Sequence, residues 1–142
     1  MAKAPHVPTG LAHVSLAVMD AEATAERFAE LFGATVRSRE SLADRAIHVI
    51  FLDLAGLPIE LVQPFDAHDE SNPVSRFLKR RGPGIHHLAL AVPNVASAMR
   101  HARDAGAELV EETPRPGARG TRVGFLQPRS TGGALIEFVE GE

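Results

Sequence analysis

The stretch Gly10-Leu11-Ala12-His13-Val14-Ser15-Leu16-Ala17-Val18 returns 74 residues later as Gly84-Ile85-His86-His87-Leu88-Ala89-Leu90-Ala91-Val92, with His87 standing where His13 stood. A repeat of this kind decides architecture before any local reading does, because matched patterns fold to matched units. Small or polar residues alternate with aliphatic ones, the signature of a strand with two unlike faces. His13, Ser15 and Ala17 share one face and Val14, Leu16 and Val18 the other; His87, Ala89 and Ala91 repeat the first arrangement. Each histidine thus has small neighbours, which leaves room for a cleft, and the aliphatic row is set to receive a helix.

Working outward, each copy is followed by a helix signal. Asp20 and Asn94 are N-cap residues, and Gly33 and Gly106 sit where a left-handed C-terminal residue is wanted. Phe28, Leu31 and Phe32 form the expected packing face of the first helix. Val95, Ala98, Met99 and Ala102 form that of the second, at i, i+3, i+4 and i+7. Strand-like runs follow at 34–38, 46–54 and 58–63, and again at 108–111, 121–127 and 134–139. Each half reads as βαβββ, an α+β chain of two paired modules that form a curved mixed sheet around a cleft. The expected divisions are an N-terminal extension at 1–9, a first module at 10–64, a linker at 65–83 and a second module at 84–142. The linker opens with turn formers (Asp66, Asp69, Ser71, Asn72, Pro73) and continues as a short helix over 74–81. Its end, Lys79-Arg80-Arg81, is a solvated basic terminus favoured by the helix dipole, or a contact for a phosphate.

Composition narrows the chemistry. The 142 residues contain no cysteine, which excludes disulfides, thiolate nucleophiles and Cys-ligated metals. A net charge of -3 gives no field for nucleic acid or an anionic membrane. No run approaches the ~18 apolar residues of a membrane span, and residues 1–8 have no signal-peptide core, so a cytoplasmic protein is expected.

Glu60 and Glu137 lie in apolar strand segments whose sequences resemble one another, Pro58-Ile59-Glu60-Leu61-Val62 and Leu135-Ile136-Glu137-Phe138-Val139. A lone carboxylate there is costly unless it is paired or bound to a metal. A single strand histidine or glutamate is ordinarily structural, but two of each at repeat-equivalent positions need a common explanation. If the halves pair about a pseudo-two-fold axis, His13, Glu60, His87 and Glu137 converge on one point as a nitrogen–oxygen set for a divalent ion such as Zn, Co, Ni, Mn or Fe(II). His6, His48, His68, His86 and His101 have no repeat partner and are read as structural or exposed.

At this point the chain resembles the vicinal-oxygen-chelate superfamily of glyoxalases, extradiol dioxygenases, bleomycin-resistance proteins and methylmalonyl-CoA epimerases, and the last of these most. Three stretches carry the resemblance: 58–64, then Asn72-Pro73-Val74-Ser75-Arg76-Phe77-Leu78-Lys79-Arg80-Arg81-Gly82 running into Gly84-Ile85-His86-His87, and Pro114-Arg115-Pro116-Gly117 leading to Ser130-Thr131-Gly132-Gly133-Ala134-Leu135-Ile136-Glu137. The resemblance implies an isomerase of propionate metabolism that interconverts (R)- and (S)-methylmalonyl-CoA by removing and returning the α-proton through a metal-stabilised enolate. It implies one divalent ion per chain (Co, Zn, Mn or Ni) on His13, Glu60, His87 and Glu137, with an acyl-CoA as substrate and a homodimer as the assembly. Glu137 is implied as the base, with Glu60 or His48 as the second group, because the acid that some relatives carry on the third strand falls at Val49. Gln127-Pro128-Arg129 also departs from the family's usual His-Pro-Lys. The alternatives on the same fold are a lactoylglutathione lyase of the glyoxalase I type and a non-catalytic binding protein of the bleomycin-resistance type.

Overall fold

The computed structural model describes residues 4–141. They form β1 (Gly10–Ala17), α1 (Ala21–Phe32), β2 (Thr35–Leu42), β3 (Ile47–Leu54), β4 (Leu57–Pro64), α2 (Pro73–Arg81), β5 (Gly84–Ala91), α3 (Val95–Asp104), β6 (Arg115–Pro116), β7 (Arg122–Leu126) and β8 (Ile136–Glu140). The chain divides into two compact units, residues 13–86, and the residues up to Ala12 together with those from His87 onward.

In the first unit the strands lie in the order β2-β3-β4-β1. β1 runs parallel to β4 with Ser15 opposite Glu60, and β3 is antiparallel to β4 with Phe51 opposite Glu60. Directly paired residues point to the same side of a sheet, so this register sorts the side chains into two faces. One face carries Val14, Leu16, Val18, Ile50, Leu52, Ile59 and Leu61 and packs on α1, as the alternation predicts. The helix starts where the Asp20 side chain accepts from the N–H of Ala23 at 3.0 Å, and Gly33 ends it at φ 68°. Its buried residues are Ala21 and Ala25, with Phe28 packed beside them; Leu31 and Phe32 are exposed. The expected Phe28-Leu31-Phe32 face is therefore corrected. Two alanines bring the first turns close to the sheet, and the contact is made there instead of in the last turn.

Asn72 ties the linker to this unit. Its side-chain oxygen caps α2 at the N–H of Val74 (2.9 Å), and its amide donates to the carbonyl of Ala46 (3.1 Å) in the β2–β3 turn. Of the basic end of α2, Lys79 pairs with Glu70 at 2.6 Å and the Arg81 guanidinium lies 5.8 Å from the centre of the Phe77 ring.

The second unit repeats the plan as β5-β8-β7-β6, with β5 parallel to β8 and Ala89 opposite Glu137. Asn94 caps α3 at the N–H of Ser97 (2.8 Å), and Val95, Ala98 and Met99 are buried against Val92, Leu126 and Phe138. At Gly124 in β7 a Cβ would lie 2.5 Å from the sulfur of the buried Met99, so any larger residue there has to displace that side chain. Residues before β1 belong to this unit, since Thr9 N–H donates to Ala91 and Asn94 N–H to Pro5.

One expected strand is absent. Residues 108–111 make a single bridge, Leu109 to Leu126, and the edge strand is the two-residue β6 instead. Val110 N–H donates to Phe125 and Gln127 N–H to Glu108, but Pro114 and Pro116 remove two donors from the stretch that would continue the ladder. Among the described residues no helix is long and apolar enough to cross a membrane.

Candidate metal centre

Within the first unit, β1 and β4 bring His13 and Glu60 together, Nε2 to Oε1, at 3.6 Å. Within the second unit, β5 and β8 bring His87 and Glu137 together through the same two atoms at 3.1 Å. All four side chains are buried, at 3%, 7%, 7% and 4% exposure. The two pairs arise identically: each glutamate stands opposite the residue two positions beyond the histidine, Ser15 in one unit and Ala89 in the other, so histidine and glutamate lie diagonally on one face.

The sequence reading missed the residues that hold these rings. His13 meets Phe51 edge-on, with centroids 5.4 Å apart and planes at 84°; His87 meets Phe125 in the same way, at 5.1 Å and 85°. Each phenylalanine is also the cross-strand neighbour of the glutamate in its pair. Phe125 follows Phe51 by the same 74 residues that separate the histidines, whereas the glutamates are 77 apart. A second matched pair was missed too. Gln63 accepts from the first N–H of α1 (Ala21, 2.9 Å), and Glu140, three residues after Glu137 as Gln63 is after Glu60, accepts from the first N–H of α3 (Val95, 2.8 Å).

His48 is turned away from this face. It stands opposite Gln63 on β4, its Nδ1 is 2.8 Å from the Ser41 hydroxyl, and its ring lies against Phe65. Val49 is on the ligand face and is buried, so β3 offers no acid there. The next strand does: Glu40 on β2 is paired with Val49 and is half-buried. At the Gln127-Pro128-Arg129 departure, Arg129 is committed to a two-pronged ion pair with Glu108, its Nε at 3.0 Å.

The residues fit a metal ion. Buried carboxylates facing imidazoles are costly unless a cation or protons compensate them. The His13–Glu60 separation of 3.6 Å is too long for a hydrogen bond. Metal–donor bonds of about 2.0–2.2 Å place neighbouring ligand atoms roughly 3.0–3.5 Å apart, close to what both pairs show. Beside Glu60, the fully buried Ser15 hydroxyl has no hydrogen-bond partner among the described residues, which calls for a partner from outside the chain. Nitrogen and carboxylate donors without sulfur suit Zn, Co, Ni, Mn or Fe(II).

Comparison with known proteins shows the family. The family model described as the Glyoxalase/Bleomycin resistance protein/Dioxygenase superfamily matches residues 12–125. The chain is 35% identical over 132 residues to the ethylmalonyl-CoA/methylmalonyl-CoA epimerase of Cereibacter sphaeroides, covering 92% of this chain and 96% of the relative. The crystal structure of methylmalonyl-CoA epimerase from Mycobacterium tuberculosis superposes with a TM-score of 0.89 at 35% identity, covering 99% of this chain and 93% of that one. A methylmalonyl-CoA epimerase solved in complex with methylmalonyl-CoA and NH4+ superposes with a TM-score of 0.87 at 27% identity, covering 95% and 96%. The chain belongs to the glyoxalase/bleomycin-resistance/dioxygenase superfamily, with its α+β vicinal-oxygen-chelate fold, and within it to the methylmalonyl-CoA epimerase-like isomerases.

Proposed function

We propose that the protein interconverts (R)- and (S)-methylmalonyl-CoA, using one divalent ion held by His13, Glu60, His87 and Glu137. The observation that carries this reading is the pair of buried His–Glu contacts made through the same atoms, Nε2 to Oε1, in both units. The substrate class comes from the relatives, one of which is solved with methylmalonyl-CoA.

When bound, the ion supplies positive charge against the negative charge that develops on the thioester oxygen as the α-proton leaves. The chain's own residues do the remaining work. Glu137 is assigned as the base that takes the α-proton; Ile136 and Phe138 flank it in β8, and His87 orients its carboxylate from 3.1 Å. Glu60, also read from the sequence as an acid–base candidate, is assigned first to the ligand set because it faces His13 at 3.6 Å and stands across the ladder from the buried Ser15. Phe51 and Phe125 set the two imidazole planes. A homodimer and a cytoplasmic location belong to the same proposal, and sedimentation equilibrium and cell fractionation test them.

The direct assay is deuterium incorporation at the α-carbon of methylmalonyl-CoA in D2O with Co2+ supplied. Exchange that depends on the ion is expected. Formation of lactoylglutathione from methylglyoxal and glutathione, with no exchange on methylmalonyl-CoA, would replace this reading with the glyoxalase one.

A further inference from the structure

Ser15 is fully buried, at 0% exposure, and its hydroxyl finds no hydrogen-bond partner among the described residues. A buried donor left unsatisfied is uncommon and costs stability. The repeat shows that the position does not need one, because the matching residue of β5 is Ala89, just as buried. The first unit keeps a hydroxyl that the second does without.

The register says what lies beside it. Ser15 follows His13 by two residues and so shares its face of β1, and it stands directly opposite Glu60 in the parallel ladder with β4. Adjacent strands run about 4.8 Å apart, so serine and glutamate rise side by side from one side of the sheet. Glu60 turns its Oε1 toward His13 Nε2 at 3.6 Å, too long for a hydrogen bond. With no exposed surface, the hydroxyl is closed to direct contact with a substrate. What arrives from outside acts on it through a side chain already packed on that face, and the carboxylate across the ladder is Glu60.

We infer that Ser15 is a positioning residue for the ligand Glu60, donating its O–H to the carboxylate oxygen that the ion does not take; the assignment rests on the metal site of the function proposed above. A carboxylate that gives one oxygen to a cation still accepts at the other, and a donor beside the second oxygen keeps the first one aimed. The two backbones are already paired, so rotation of the side chains is all that the contact requires. Both oxygens of Glu60 are then engaged, which commits it to holding the ion. Across from Glu137 the two ladders present the methyl group of Ala89 and the ring of Phe125, neither of which carries an O–H. The difference of one oxygen atom between Ser15 and Ala89 thus separates a glutamate held as a ligand from the one assigned to move the proton.

The test titrates wild type and Ser15→Ala with Co2+ by calorimetry and melts each protein with and without the ion. Ser15→Ala is expected to bind Co2+ about tenfold or more weakly. Its melting temperature without the ion should equal or exceed that of wild type, because the change removes an unsatisfied buried hydroxyl. In a Glu60→Ala background, adding Ser15→Ala should change the remaining affinity by less than about twofold, since the two residues act as one unit. Binding by Ser15→Ala as tight as that of wild type overturns the assignment, and so does a loss that persists in full without Glu60. A melting temperature lowered in the absence of the ion overturns it too, since the hydroxyl would then serve the packing of the chain itself. A wild-type protein that takes up no Co2+ overturns the metal site of the proposed function, and the role of Ser15 with it.

Discussion

His13 rests its imidazole edge-on against Phe51, with ring centroids 5.4 Å apart, and Phe51 in turn stands directly across the β3–β4 ladder from Glu60, the carboxylate that His13 faces. One phenylalanine thus packs against the histidine and stands beside the glutamate of a pair, where outer groups commonly steady the ligands of a metal. Phe51→Leu keeps most of the buried volume and is expected to cost about 1–1.5 kcal/mol in urea denaturation. It should lower Co2+ affinity by roughly tenfold or more, read by calorimetric titration. An unchanged affinity would mean that the ring serves packing alone.

The four assigned ligands are expected to act as one set. Wild type should retain about one Co2+ per chain after dialysis, and His13→Ala, Glu60→Ala, His87→Ala and Glu137→Ala should each retain far less, by elemental analysis. Chelation should also lower the melting temperature, because an ion at 100 times its dissociation constant adds about 2.7 kcal/mol to stability.

Gly124 is expected to resist even alanine. The added methyl would lie 2.5 Å from the Met99 sulfur, so Gly124→Ala should lose about 1–3 kcal/mol of stability. Adding Met99→Val should recover part of that loss in a double-mutant cycle, since the shorter side chain withdraws the sulfur.

The Arg129–Glu108 pair gives a pH prediction. The hydrogen bond from Arg129, with its positive charge, holds the Glu108 carboxyl below the ordinary carboxylate range. A depressed acid contributes its stabilisation above its unfolded value and loses it as pH falls through the lowered folded one. In Arg129→Ala the Glu108 titration, followed by carbon NMR, should therefore move upward. Both groups are exposed, so global stability should hardly change.

How much of this was written in the sequence depends on what the repeat preserves. His13 and His87, Glu60 and Glu137, and the caps Asp20 and Asn94 were legible because each has a counterpart at a matching place. Phe51 and Phe125 keep the 74-residue offset too, but the glutamates they support are 77 apart. The three extra residues fall between β7 and β8, where the Pro128–Thr131 turn lies. That change of offset hid the relation between ring and carboxylate. The strand expected at 108–111 is a single bridge, Leu109 to Leu126, because apolar alternation marks residues able to pair and not the length of ladder they form. The face of Glu40 was out of reach for a different reason. β2 runs to Leu42, past the expected end at 38, and its pairing shifts between Val36 and Ser38, so counting by twos from the start of the strand gives the wrong face.

The central claim is metal-dependent proton exchange at the carbon α to a thioester. Its most direct test is the rate of deuterium incorporation into methylmalonyl-CoA by the wild-type protein, measured with Co2+ and after chelation, beside Glu137→Gln. Rapid incorporation that disappears on chelation and in the variant is the expected result. Incorporation that is absent from the Co2+-loaded wild type, or unaffected by chelation, would contradict it.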